Sequence, residues 1–233
     1  VQNQSKGTGA VDKGCANRTA ANTYNLSDFI NIPVTSKDMA GVGELAGGQF
    51  QGNPLQPGDA IILVGMHTNT REILRWAWQT FWWVPDPDSP VSPSSKAIAD
   101  ARPAQLQGAA RNYAMASAYQ MLAPAQPING GQNVGALLAA YNPHLEAGFA
   151  PSTFQMQPTV QTPSGPVVTK YGVQSNCMTC HGIANYDPKS VGTNTYGSDF
   201  YIARDDSFFD GKLLLEFAWS ILDTMVPAKP ASQ

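Results

Sequence analysis

59-DAIILVGMHTNTREILRWAWQTFWWV-84 is the stretch that decides how this chain is built. In 59-DAIILVGMHTNT-70, β-branched and apolar residues dominate. In 73-ILRWAWQTFWWV-84, Trp76, Trp78, Thr80 and Trp82 share one parity, and Ala77, Gln79, Phe81 and Trp83 the other. Period-two alternation with aromatic enrichment is the pattern of a half-buried pleated strand. The two segments are expected to form an antiparallel ribbon with its turn near Asn69–Glu72. The competing reading is a helix over 71–83, because Ile73, Leu74 and Ala77 also fit a helical stripe. Met66 and His67 have opposite parity, so only one of them faces the tryptophan row.

Outward from this ribbon the chain is rich in loops. Residues 1–22 read as a flexible leader and 23–233 as a single domain. In 35-TSKDMAGVGELA-46, Thr35 and Asp38 start a short helix with a capping box, closed by Gly47-Gly48. The run 85-PDPDSPVSPSS-95 is a Pro-rich loop, and a short helix is expected over 94-SSKAIADA-101, stopped before Pro103. Residues 111-RNYAMASAYQML-122 fit either a helix or a strand, 123–134 reads as loop, and 151–170 as extended chain. In 211-GKLLLEFAWSIL-222, Leu213, Leu215, Phe217, Trp219 and Ile221 alternate with the residues between them, which predicts a closing strand. No internal repeat is visible.

Composition narrows the class of function. The 233 residues carry a net charge of −3, only 13% are charged, and there are 21 Gly and 18 Pro. No basic run is present, which argues against nucleic acid as a partner. The apolar run 60-AIILVG-65 falls far short of the ~20 residues of a membrane-spanning helix. A neutral, polar surface and a polar start without a hydrophobic signal core fit a mature exported chain or a processed fragment. Of the three cysteines, Cys15 stands alone in the leader, as a free thiol or a link between chains.

The other two lie in 175-SNCMTCHGIA-184. C-x-x-C-H is the attachment sequence for c-type haem. Thiols at this spacing add to two vinyl groups of one porphyrin, and the adjacent imidazole falls beneath the iron. Cys177, Cys180 and His181 are therefore expected to hold one covalent haem, with His181 Nδ1–H given to a backbone carbonyl and Nε2 left for iron. A redox dithiol and a zinc site that also recruits Cys15 are weaker alternatives, because neither a βαβ unit nor a second ligand pair is evident. Candidates for the sixth ligand are His67, His144 or a methionine, and an open site is the remaining case. His67 leads, since it ends an apolar strand beside the tryptophans. The ligand decides the chemistry, because Met raises the potential, a second imidazole lowers it, and an open site admits O₂, NO or peroxide. Arg71, Arg75, Arg111 and Tyr171 are candidate donors to the propionates, and Trp78 a candidate wall of the haem pocket. Asp205, Asp206 and Asp210 form a possible Ca²⁺ site or a solvated turn.

The motif begins at residue 177, late in the chain, and the only Met after it is Met225. That order argues against the small all-α cytochrome c fold. The expected architecture is mainly β or α+β, strand-rich and loop-rich, with a few short helices around one covalently bound haem. The ordered set 64-VGMHTNTREI-73, 76-WAWQTFWW-83, 102-RPAQLQGAARNYAM-115, 129-NGGQNVG-135, 141-YNPHLEAGF-149, 172-GVQSNCMTCHGIANY-186 and 211-GKLLLEFAWSI-221 resembles a family of bacterial, exported mono-haem "cytochrome c family" proteins. The similarity spans residues 23–222. It implies export to the periplasm or beyond and one covalent haem, matched at Cys177, Cys180 and His181, with His67 at the family's strand-end histidine. It lowers His144 as a ligand and supplies no reaction.

Three functions compete at this point. Electron transfer between redox partner proteins leads, since no nucleophile or acid–base constellation is evident and the chain reads as a carrier more than an enzyme. A peroxidase-like enzyme or gas sensor would recast His67 and Arg71 on an open distal face. A haem-bearing subunit of an extracellular assembly or homo-oligomer would use the polar leader and Cys15.

Overall fold

Alternation along 77–83 makes the strand that organises the fold. The structure, a computed structural model, describes residues 19–20, 22–39, 41, 56–132, 136–146, 159–162, 165–168, 176–189 and 201–225. Within them β1 (Asn31–Pro33) pairs with β2 (Ala60–Ile62), and β3 (Gly65–Thr70), β4 (Ala77–Trp83) and β5 (Tyr113–Ala118) form an antiparallel sheet in that order. The ribbon is therefore as expected, and the helix over 71–83 is excluded. Its turn is longer than expected, since Thr70 pairs with Ala77 and residues 71–76 lie between. Trp76 falls outside the strand, with φ of 60°.

The register puts His67 opposite Thr80, and Thr80 opposite Ala116. Residues paired across an antiparallel ladder share a face. One face thus carries Gly65, His67 and Asn69, then Trp78, Thr80 and Trp82, then Ala114, Ala116 and Ala118. The small alanines leave room above the tryptophans, and Met121, Leu122, Met178 and Phe217 fill it to make the main core. On the opposite face Trp83 stacks on Phe29 with ring centroids 4.5 Å apart, beside Tyr113. Trp83 donates to Asp28 O at 2.9 Å, and Tyr113 to Leu63 O at 2.6 Å, so both polar ends of these buried rings are met.

Thr80 and Asn142 are each fully buried. The Asn142 amide donates to Thr80 Oγ1 at 2.8 Å and to Phe81 O at 2.9 Å. Its carbonyl accepts from the backbone of His144 and Leu145 at 3.0 and 3.2 Å, which closes a turn. Gly65 permits this approach, because a Cβ there would stand 2.9 Å from Asn142 Nδ2. His144 donates through Nε2 to Trp83 O at 3.1 Å, so it fastens this turn to β4.

The remaining elements are short. The expected helix in 94–101 is α1 (Lys96–Asp100), capped by Ser95, whose hydroxyl accepts from Ile98 N. The ambiguous run 111–122 holds the strand β5 at Tyr113–Ala118, after a 3₁₀ turn over Gly108–Asn112. Leu122–Ala123 (β6) pairs with Ala136–Leu137 (β7), and the extended region holds a hairpin of Thr159–Thr162 (β8) and Gly165–Val168 (β9). The start of the 35–46 segment shows the capping pattern, with Thr35 N donating to Asp38 at 2.9 Å, and its remainder lies mostly outside the described residues. Most of the leader, with Cys15, and Tyr171 also lie outside them.

The sequence reading of 211–222 as a strand is wrong. After α2 (Cys177–His181), Asn185–Tyr186 (β10) pairs with Leu213–Leu214 (β11), and the pairing stops there. Glu216 and Phe217 take φ of 51° and 67°, which no pleated strand tolerates, and Trp219–Thr224 winds into a 3₁₀ turn. The chain is strand-rich with few helices. No helix among the described residues is long and apolar enough to cross a membrane.

Replacing Asn142 by Ala would remove two buried hydrogen bonds and leave the Thr80 hydroxyl only Met66 O, at 3.4 Å. Asn142→Ala is expected to destabilise the fold by about 3 kcal/mol, read as a shift in the midpoint of urea unfolding.

Candidate functional site

The C-x-x-C-H residues form a single helical turn whose ends are both tied down. Asn176, buried, caps α2 by accepting from Met178 N at 2.9 Å. The same side chain donates to Gln120 O at 3.0 Å and Leu138 O at 2.9 Å, which fixes the turn to the chain leaving β5 and to the strand leading into Ala140. Cys177 N donates to Ala140 O at 2.9 Å. At the other end Trp219 Nε1 donates to Cys180 O at 2.8 Å, which meets one of the carbonyls that a helix terminus leaves open. Met178, between the cysteines, points into the main core.

His181 Nδ1 donates to Phe217 O at 2.7 Å. A carbonyl only accepts, so the proton sits on Nδ1 and Nε2 keeps its lone pair. The described residues offer Nε2 no hydrogen-bond partner. Trp78 stacks on the imidazole at 4.0 Å between centroids and 25° between planes, and Trp76 stacks behind Trp78 at 5.7 Å. Bond and stack together fix the ring's position and leave Nε2 with its lone pair.

The backbone around this ring is strained. Trp76, Glu216 and Phe217 are the non-glycine residues with positive φ among those described; Phe217 O binds His181, Glu216 precedes it, and Trp76 stacks behind Trp78. Left-handed φ costs an L-residue about 1–2 kcal/mol. Such strain persists where surrounding structure imposes it, and it gathers at functional sites. Here it turns the Phe217 carbonyl toward His181. Glu216 is held by Arg204 at 2.7 Å and Arg71 at 3.1 Å, and the Arg204 guanidinium lies over the Phe217 ring at 5.5 Å. The bond from Arg204 keeps the Glu216 carboxyl below its ordinary pKa.

Electrostatics set the state of the three motif side chains. Burial holds the His181 imidazole below its usual pKa, against the pull of the Phe217 bond; the His67 charge lowers it further, and Glu146 raises it. Burial pushes the Cys177 thiol up to about 12 and the Cys180 thiol up to about 11.

His67 and Glu146 stand close enough for their charges to be felt at His181. His67 lies on the same sheet face as Trp78, and its Nε2 donates to Glu146 Oε1 at 2.7 Å. Glu146 also accepts from the Asn142 backbone N–H through its other oxygen. Arg71 reaches the site through Glu216, and Arg75 donates to the Tyr201 hydroxyl at 3.4 Å. Arg111 instead binds Asp88 at 2.9 Å, with Arg102, and has no part here. Asp205 accepts from Gly130 N and Asp206 caps Phe208 N, so these carboxylates serve turns. Among the described residues no group of three or more His, Cys, Asp or Glu is placed to hold a metal ion.

The donor set fits a covalently attached haem. Two cysteines and one oriented imidazole share a turn, and Nε2 is available. The buried Trp76 Nε1 also lacks a hydrogen-bond partner among the described residues, which leaves a donor open near the stacked rings. Sequence inspection missed Asn142, Glu146, Asn176, Phe217 and Trp219. Asn176 carried a signal, because Asn directly before a helical turn is a strong N-cap. Phe217 and Trp219 carried none, since one acts through its carbonyl and the other through a carbonyl of the motif. No family model, curated protein or solved structure matches this chain.

Glu216→Gly and Glu216→Ala both lose the carboxylate, but only glycine is at ease with φ of 51°. The Gly variant is expected to be more stable than the Ala variant by about 1 kcal/mol, in thermal melts of the two side by side.

Proposed function

We propose that this chain is a c-type cytochrome that carries one covalently attached haem and transfers electrons outside the cytoplasm. The observation that carries the reading is the capped C-x-x-C-H turn, whose histidine gives its Nδ1 proton to Phe217 O and presents Nε2. The resemblance to exported mono-haem proteins supports it. Cys177 and Cys180 would each add S–H across one vinyl group, sulfur to one carbon and hydrogen to the other, with no oxidant required. Burial suits two thioethers, which carry no charge. A bound haem would supply an iron that accepts and returns one electron. His181 would hold that iron from the proximal side, with its basicity raised by the Phe217 carbonyl. Trp78 would keep the imidazole from turning. Arg71, Arg75 and the Trp76 indole N–H would serve the propionates.

His67 is the proposed distal ligand. Its Nε2–H is given to Glu146, which leaves Nδ1 as the coordinating atom, and a carboxylate behind a ligating histidine is a common arrangement. The same pair supports a second reading, in which His67 is a distal base over an open iron in a peroxidase-like enzyme or gas sensor.

Coexpressed with a haem-attachment system, the protein is expected to carry one thioether-linked haem per chain by pyridine haemochrome assay. Cys177→Ala and Cys180→Ala should sharply lower the yield of folded protein. A colourless, folded protein whose motif thiols all titrate overturns the assignment. A low-spin visible spectrum that becomes high-spin in His67→Ala assigns His67 as sixth ligand. A wild type that is already high-spin moves the function to the open-iron reading.

A further inference from the structure

The sheet has a second face, and a cavity of about 480 Å³ lies against it. Small-molecule sites occupy roughly 300–1,000 Å³ and are mainly apolar with a few placed polar groups. Met66, Phe81 and Met115 form its floor and belong to the parity opposite to His67, Thr80 and Ala116. Ile98 from α1 and Leu106 from the loop beyond form its walls.

Ser94 decides what the cavity would take. It lines the cavity, it is only 7% exposed, and its Oγ is buried without a hydrogen-bond partner. A buried hydroxyl left unpaired costs about 1–3 kcal/mol, so such groups are rare and call for a function. The neighbouring polar group is committed elsewhere. Arg102 lines the same cavity with its side chain only 7% exposed, and its guanidinium donates to Asp88 at 3.3 Å and to Pro87 O at 2.7 Å. These bonds, to an Asp88 that Arg111 shares, hold the Arg102 donors away from the cavity and leave Ser94 as the polar anchor. An anion would compete with Asp88, and a cation would meet Arg102.

We propose that this cavity binds a small, uncharged, largely apolar molecule, a flat ring or short chain bearing one hydroxyl or carbonyl oxygen, held by Ser94 Oγ. The pocket lies across the sheet from His181, so the site is independent of any haem. Ser94 donates to a carbonyl or accepts from a hydroxyl, and the apolar body replaces water against Met66, Phe81 and Met115.

Equilibrium dialysis of the intact protein with 2-naphthol and with naphthalene tests this, since the pair differ by one hydroxyl. Wild type is expected to bind one 2-naphthol saturably. Ser94→Ala should weaken 2-naphthol about tenfold and leave naphthalene unchanged, while its fold stability is held or improved, because an unmet hydroxyl is removed. Ala110→Trp, which fills the cavity from its rim, should abolish both. Absence of saturable binding overturns the proposal. So does 2-naphthol binding that ignores Ser94→Ala or survives Ala110→Trp in a folded variant.

Discussion

The Thr80 hydroxyl lies in the middle of the central strand, wholly out of water, and a buried hydroxyl must find a partner. Met66 O accepts its proton at 3.4 Å and Asn142 donates to its oxygen at 2.8 Å, and this second bond propagates. To reach Thr80 the Asn142 side chain must also be buried, so its carbonyl is met by the turn that follows it. The turn brings Glu146 back onto the Asn142 backbone and leaves its other oxygen for His67. Two residues before Asn142, Ala140 accepts from Cys177 N and fixes the start of the motif turn. One buried hydrogen bond therefore orders a segment that serves both sides of the site. It braces the C-x-x-C-H turn and, through Glu146, holds His67.

The opposite end of the motif is organised by strain rather than by regular structure. A strand through 211–222 would direct every carbonyl sideways along a ladder. The left-handed pair Glu216–Phe217 breaks the pleat and aims one carbonyl at His181. The cost, about 1–2 kcal/mol for each residue, is offset by Arg204 and Arg71 on Glu216 and by burial of the Phe217 ring. Trp76 belongs to the same device. Its positive φ ends the turn before β4 and lays one indole behind another, so that Trp78 packs flat on the imidazole.

The ribbon was legible because alternation over 77–83 is long and its aromatic content high, and because the face opposite the tryptophans also alternates. The short helix within 94–101 was legible too, although its Ser95 cap was not read from the sequence. The parity of Met66 and His67 already assigned them to opposite faces, and the pairing keeps them there. The error at 211–222 has a physical source. Apolar residues at alternate positions also arise when a chain in irregular conformation packs against a core, and Phe217 and Leu215 are buried without a partner strand. Arg111 showed the limit of reasoning from residue type. A guanidinium is a plausible propionate donor wherever it stands, but only the fold reveals that Asp88 holds this one. Asn142 and Glu146 escaped notice because their roles depend on contacts about sixty to eighty residues away in sequence.

Side chains alternate along β4, so this strand serves two sites without sharing a residue between them. Trp78 and Thr80 face His181 and the Asn142 turn, while Phe81 faces the apolar cavity with Met66 and Met115. That economy makes register critical. A slip of one residue would exchange the two faces entirely. Gln79 and Phe81 would then meet His181, and the Thr80 hydroxyl would leave Asn142 for the side of the apolar cavity. Asn142 guards against this by reading two adjacent residues at once, the Thr80 side chain and the Phe81 carbonyl. No slip by one or two residues offers that amide a hydroxyl, since the neighbouring positions are Trp78, Gln79, Phe81 and Trp82. The amide that satisfies the core is thus also what fixes which face of β4 sees the histidines.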